Sequence, residues 1–219
     1  MSQHLFKYKH FESEIILLCV RWYLKYPLSY RILVEMMQER GLNLTHTTIM
    51  RWVHQYSPII AERLRKHLKS TNDSWRMDET YLKIKGKNAY LYRTVDSKRK
   101  TIDFFVSEHR DKDAAKHFFK KALKAIHNQQ QRVITTDKYA ATEVAIHEMI
   151  YSGTLAVKTT LRKIKYLNNI IEQDHRFIKR KIKLMLGFDS FETAEKTICG
   201  IELMYMISKG QVEEIHSVP

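Results

Sequence analysis

In the stretch "RMDETYLKI", residues 76 to 84, an acid stands where a strand should be apolar. Alternation groups Asp78, Thr80, Leu82 and Ile84 on one face, with Glu79, Tyr81 and Lys83 on the other. Leu82 and Ile84 mark the first face as the covered one. A carboxylate withdrawn from water is costly or changes its protonation state unless it has a basic partner, a backbone cap or a bound cation. Asp137 closes the β-branched run "RVITTD", and Glu172 stands in "NNIIEQDHRFIKRKIK". Carboxylates brought together resist joint ionisation unless a cation sits between them. Oxygen-only ligation suits Mg²⁺ or Mn²⁺ and not zinc. Two such ions, about 3.5–4 Å apart, activate an attacking oxygen and stabilise a leaving one in an in-line phosphoryl displacement. On that reading Asp78 lies inward as a metal ligand.

Arg176 follows Glu172 by four residues and Lys179 by seven, so all three share one helix face. Seven residues is roughly 10.5 Å along a helix axis. That distance keeps Lys179 off the metals and suits it to a phosphate flanking the scissile one. Asp174 competes for the role of third acid. Two residues is roughly 200° around a helix, so only one of the pair can face the site, and Lys179 favours Glu172. Glu79 is expected to be a surface residue or a salt-bridge partner. Asp96 and Asp103 pair with no other acid. "HRD" at His109 to Asp111 resembles a kinase catalytic loop, but Lys116 stands where that loop needs asparagine, so Asp111 or Asp113 is expected to cap a helix.

The elements that must position these acids fall into two regions. Residues 12 to 69 read as four helices. Ile15, Leu18, Cys19, Trp22 and Tyr26 form one apolar stripe; Tyr30, Leu33, Val34 and Met37 form the next, between a Ser29 cap and Gly41. Ile49, Trp52, Val53 and Tyr56 form a third, and Ser57-Pro58 is expected to open a fourth helix through Leu68. Residues 29 to 56 thus resemble a helix-turn-helix, or else an ordinary helical hairpin, and the second helix is expected to turn Thr47, Thr48, Met50, Arg51, His54 and Gln55 outward, toward base edges or phosphates. The polar "KSTNDS" places a domain join near residue 74, dividing an all-α domain, 1–74, from a catalytic domain, 75–219. Beyond it, strands are expected over 75–85, 89–96 and 100–107, the first two a hairpin. A helix with Ala115, Phe118, Phe119, Ala122 and Ile126 inward follows, then the strand ending on Asp137. A helix over 140–151, a strand near 155–158 and two long helices from about 168 complete the chain. This α/β (α+β) order is that of the ribonuclease-H-like fold, in which the first and fourth strands are neighbours and would bring Asp78 and Asp137 to one sheet edge.

The net charge of +14 and a pI near 9.7 point to a polyanion, nucleic acid before an acidic membrane surface. Between Lys158 and Lys183, nine Lys or Arg face two acids, half of the whole excess. No segment reads as a membrane span or secretory signal, and two cysteines 180 positions apart suggest neither disulfide nor zinc. A reduced cytoplasmic interior is expected.

Thirty-four residues separate Asp137 from Glu172, and a basic residue follows seven positions later. With "WRMDETYLKIKG", "TTDKYAA" and "YLNNIIEQDHRFIKR" around the three acids, the chain resembles a DDE transposase of insertion-sequence family six. The front "LSYRILVEMMQERGLNLTHTTIMRWVHQYSP" and the tail "GFDSFETAEKTICGIELMYMISKGQ" resemble the same family, so the likeness covers nearly the whole chain. The resemblance implies Asp78, Asp137 and Glu172 as the catalytic triad with Mg²⁺, and Lys179 as the basic residue after it. It implies a bacterial protein whose helix-turn-helix recognises terminal inverted repeats, and strand transfer of the element's 3′ ends giving cointegrates. Double-stranded DNA and a homodimer or higher oligomer are the expected partners. Residues 1–74 are expected to fold alone and to prefer element ends. The rival readings are a non-catalytic helix-turn-helix regulator and a ribonuclease-H-like nuclease.

Overall fold

Ser29, Thr45, Asp111 and Ser190 each accept a hydrogen bond from the backbone N–H three residues on, at 3.2, 3.2, 2.8 and 3.1 Å. They satisfy donors that a helix start leaves open and so fix where four helices begin. A computed structural model of the chain describes residues 5–7, 9–137, 139–164, 169–185 and 187–213. Its elements are α1 (Ser13–Lys25), α2 (Tyr30–Gln38), α3 (His46–Arg65), β1 (Ser74–Ile84), β2 (Lys87–Asp96), β3 (Thr101–Ser107), α4 (Lys112–Leu123), β4 (Val133–Thr135), α5 (Ala140–Tyr151), β5 (Thr160–Arg162), α6 (Asn169–Lys183) and α7 (Phe191–Ser208).

The sheet order is β3-β2-β1-β4-β5. β1, β2 and β3 pair antiparallel, and β4 joins β1 and β5 in parallel. This is the ribonuclease-H-like arrangement expected from the order of elements. Lys85 and Gly86 take φ of 50° and 74°, the left-handed pair that closes a two-residue hairpin between Ile84 and Lys87. One face of the sheet (Trp75, Met77, Tyr92, Ile102, Ile134) packs on Phe118 and Phe119 of α4 and Ile146 of α5. The other face (Leu82, Ile84, Leu91, Phe104) packs on α6, α7 and the front helices.

Three local expectations are corrected. Pro58 opens no fourth helix: α3 runs unbroken from His46 to Arg65 with Pro58 inside. A proline there forfeits one backbone bond, and burial of Ile49, Trp52, Val53, Tyr56, Ser57 and Ala61 holds the helix through it. The last strand is Thr160–Arg162 and not 155–158. Ile126 lies beyond the end of α4 and is 96% exposed.

The front helices do not keep a core of their own. Leu24, Leu33, Ile49 and Val53 belong to one cluster with Leu91, Ile178, Ile198 and Ile201. The buried Lys181 of α6 donates to the carbonyls of Tyr26 (2.6 Å) and Leu28 (3.5 Å) and lies over the Tyr23 ring, and burial lowers its amine to about 8. α7 approaches α1 and α3 closely at Gly200, where an added Cβ would lie 2.6 Å from Leu24 Cδ1 and 2.7 Å from Ser57 Oγ. A glycine in a helix interior ordinarily gains stability on becoming alanine. Here Gly200→Ala should instead cost about 1–3 kcal/mol by overpacking, read as a lower midpoint in thermal unfolding. An unchanged or higher midpoint would mean that α7 does not press on α1 and α3 at this point.

Candidate active site

Ser74, Trp75 and Arg76 of β1 pair in parallel with Val133, Ile134 and Thr135 of β4. Both strands run the same way, so two residues farther along Asp78 and Asp137 come side by side. β4 has ended there, which leaves the β1 edge open. The side chains of Asp78 and Glu79 leave opposite faces of β1 but reach round that edge. One carboxylate oxygen from each of Asp78, Glu79 and Asp137 lies within 4.8 Å of the others.

The partners of these acids come from loops and helices on both faces. Arg110 Nη2 lies 3.4 Å from Glu79 Oε2 and 3.6 Å from Asp137 Oδ2, with its guanidinium 3.8 Å over the Tyr139 ring. Tyr139 donates its hydroxyl to the Arg110 carbonyl at 2.7 Å, and its backbone N–H to Asp137 Oδ1 at 3.0 Å. Thr142 Oγ1 of α5 donates to Glu79 Oε1 at 2.9 Å. The Glu79 side chain is 3% exposed, and burial, with the charge of Asp137, pushes its carboxyl up to about 7 against the pull of Thr142 and Arg110. Glu79 is therefore a salt-bridge partner, as expected, but a buried one within the acidic group.

α6 covers the other face. His175, 1% exposed, places Nε2 3.3 Å from Asp78 Oδ2. Burial, with the nearby Arg93 charge, lowers its pKa against the pull of Asp78. Asp174 is engaged elsewhere. The fully buried Arg93, paired in register with Asp78, donates to Asp174 Oδ2 at 2.8 Å and to Glu202 at 2.5 and 3.1 Å. Tyr205 donates its hydroxyl to Asp174 Oδ1 at 2.7 Å. Burial works against the charge on Arg93, but Glu202 and Asp174 outweigh it and its pKa is raised. Glu172 is exposed and does not join the group of Asp78, Glu79 and Asp137. Three residues before His175, it lies roughly 60° round the helix and one turn nearer the N-terminus. Arg176, Lys179 and Lys183 continue its exposed stripe.

On α3, Thr47, Arg51 and Gln55 are exposed at four-residue intervals. Thr48 is half-buried and bonded to Thr45 Oγ1 at 2.8 Å. His54 is also half-buried. It lines a cavity with Tyr23, Tyr30, Met185 and Thr193, and its pKa is lowered by burial and by Lys196. The outward face is thus narrower than the helix stripe implies.

A family profile described as a DDE domain matches residues 72–211. Over 205 residues, 93% of this chain, the sequence is 42% identical to the Staphylococcus aureus transposase for insertion sequence-like element IS431mec, covering 88% of that protein. The chain belongs to the DDE transposases of insertion-sequence family six. The Staphylococcus aureus transposase for insertion sequence element IS257 in transposon Tn4003 matches this DDE transposase at the same identity and coverage. Among solved structures, it is similar to the HTLV-2 integrase catalytic core domain in complex with magnesium (16% identity, 60% of this chain, 84% of that chain, TM-score 0.47). It is also similar to a chain of the Mos1 strand transfer complex (11% identity, 79% of this chain, 64% of that chain, TM-score 0.39). For a DDE domain, the oxygen-only donor set of Asp78, Glu79 and Asp137 suits a divalent cation. Among the described residues, no helix is long and apolar enough to cross a membrane.

Proposed function

We propose that this DDE transposase binds the terminal inverted repeats of an insertion sequence and joins the element's 3′ ends to target DNA, giving cointegrates. The observation that carries this reading is the convergence of Asp78 and Asp137, from strands far apart in sequence, at the open edge of β1. Asp78, Asp137 and Glu172 are the proposed ligands of two Mg²⁺ ions, for which Mn²⁺ can substitute. Such ions would activate the attacking 3′ oxygen and stabilise the leaving oxygen in an in-line displacement.

The chain's own residues set up that chemistry. His175 places Nε2 3.3 Å from one oxygen of Asp78 on the α6 side, and the Tyr139 backbone N–H holds one oxygen of Asp137. Arg110 balances the negative charge of Glu79 and Asp137 from the loop before α4. Glu172 approaches from the first turn of α6, on the side of the helix next to His175. Arg176 and Lys179, farther along the same stripe, hold phosphates that flank the scissile one. Thr47, Arg51 and Gln55 form the base-reading face of α3, and Thr48 and His54 stay in the proposed interface as residues that shape its rim. Simultaneous capture of two ends requires a homodimer or larger assembly on DNA.

End recognition is tested by competition between a duplex carrying the element's terminal repeat and one of scrambled sequence. The full chain should prefer the terminal repeat, and Arg51→Ala should weaken that binding by about 1–3 kcal/mol if the arginine makes a bidentate base contact. Equal affinity for both duplexes would remove α3 as a sequence reader. Joining of the labelled repeat to a plasmid with Mg²⁺, and its loss with chelator, tests the reaction itself. A chain that binds ends selectively but never joins them, with either metal, would be a regulator and not a transposase.

A further inference from the structure

β1 extends well past the end of β4. Its backbone pairs with β4 only over Ser74, Trp75 and Arg76, and at its far end the segment after α6 closes the edge. There Phe188 N–H donates to the Lys83 carbonyl at 3.0 Å, and Lys85 N–H donates to the Phe188 carbonyl at 2.7 Å. Peptide groups on a strand alternate sides. The edge that Lys83 and Lys85 present to Phe188 is therefore also the edge toward which the Tyr81 N–H and C=O point. Tyr81 has no strand partner there among the described residues.

The gap is a groove of about 320 Å³ between β1 and the second half of α6, lined by Thr80, Tyr81, Lys83, Lys179, Ile182 and Lys183. Thr80 is 3% exposed, and its buried hydroxyl has no hydrogen-bond partner. Tyr81 is 60% exposed, its ring 5.3 Å from that of Tyr90. The groove begins beside Asp78. From Asp78 to Lys83 is five residues, roughly 17 Å of strand, and from Glu172 to Lys183 is eleven, roughly 16 Å of helix. The strand edge and the basic stripe therefore run alongside one another away from the acids.

We propose that this groove is a nucleotide subsite for the DNA strand that continues from the reacting phosphate. The inference rests on the strand-transfer reading and deepens it. Backbone phosphates lie beside the α6 amines of Lys179 and Lys183, within reach of the Tyr81 N–H, while the Lys83 amine is engaged by Asn88 on the other face. A base stacks on the exposed Tyr81 ring, a contact any base can make because every base has a π-face. Two α6 cations facing the open Tyr81 peptide match a polyanion and leave an apolar or cationic ligand unsupported.

The test uses the full chain and element-end duplexes with 2-aminopurine at the first, second or third nucleotide from the 3′ terminus. Binding to the wild-type protein should change the fluorescence at one of these positions. Tyr81→Ala should abolish the change and Tyr81→Phe should keep it. Lys183→Ala should lower the salt slope of binding by about one, and Tyr81→Ala and Lys183→Ala should each lower joining by tenfold or more. All these side chains are exposed, so unfolding midpoints should not move. If the wild type joins ends while both variants match it in fluorescence, salt slope and yield, the subsite is refuted and the transposase reading stands. If a Tyr81-dependent signal persists in a protein that joins nothing, the subsite stands and the reaction assigned to it falls. If the wild type gives no signal at any of the three positions, the subsite is refuted.

Discussion

Asp78→Asn, Asp137→Asn and Glu172→Gln should each lower strand transfer by at least about a thousandfold, a barrier increase of about 4 kcal/mol, while binding to terminal DNA persists. Each swap keeps the shape of the side chain and removes the charge that holds a cation. For Asp78 and Asp137 the expectation follows from their convergence at the β1 edge. For Glu172 it tests more, because that residue is exposed and outside the group that Glu79 completes. Its loss of activity would show that the first turn of α6 serves the site when DNA and cations are bound. Glu172→Gln with near-normal joining, alongside an inactive Glu79→Gln, would give the third carboxylate to Glu79.

Arg93→Met should be the most destabilising of the substitutions considered. It leaves Asp174 and Glu202, both fully buried, without their shared counter-charge. Breaking a buried pair from one side costs about 3–5 kcal/mol, which for a chain of this size lowers the unfolding midpoint by roughly 10 °C. Asp174→Asn, which leaves the Glu202 contacts to Arg93 intact, should cost less in stability and little in chemistry. Calorimetry on the two variants separates them. Equal midpoints for Arg93→Met and the wild type would mean that the pairing of β2 with α6 and α7 does not depend on this arginine.

Much of this arrangement was legible in the sequence. Asp78 was detectable because it breaks the apolar register that Leu82 and Ile84 set, and Asp137 because it closes a short β-branched run. Helical geometry showed that only one of Asp174 and Glu172 can face the site, Lys179 favoured Glu172, and the structure turns Asp174 inward onto Arg93. Glu79 was harder. Alternation assigns it correctly to the opposite face, but no pattern announces that β4 stops at Thr135 and lets both side chains curl round the open edge. Arg93 carried a signal that pattern reading passed over: a lone charge in "YLYRTV", inside a strand with two covered faces, needs buried acids. His175 and Arg110 act through contacts made between distant elements, which spacing cannot show. Pro58 misled because a local helix-start signal gave way to packing against α7.

The division near residue 74 marks a change of element type within a continuous core. The front helices bury Leu24 and Ser57 against Gly200 and receive Lys181 at the α1–α2 elbow. α6 therefore touches both the acids and the proposed DNA-reading helices' support. We propose that residues 1–74 form the recognition region while depending on α6 and α7 for their packing.

In the proposed reaction the acids at the β1 edge serve a metal-dependent attack by a DNA 3′ oxygen. Labelled element-end duplexes ending in either a 3′-hydroxyl or a 3′-deoxy nucleotide, incubated with the protein, Mg²⁺ and a supercoiled plasmid, test it directly. Covalent joining is expected for the hydroxyl-ended duplex, with none for the 3′-deoxy duplex and none from the Asp78→Asn protein. Plasmid cut to the same extent with either terminus, without joined product, would contradict this reaction and make the protein a nuclease.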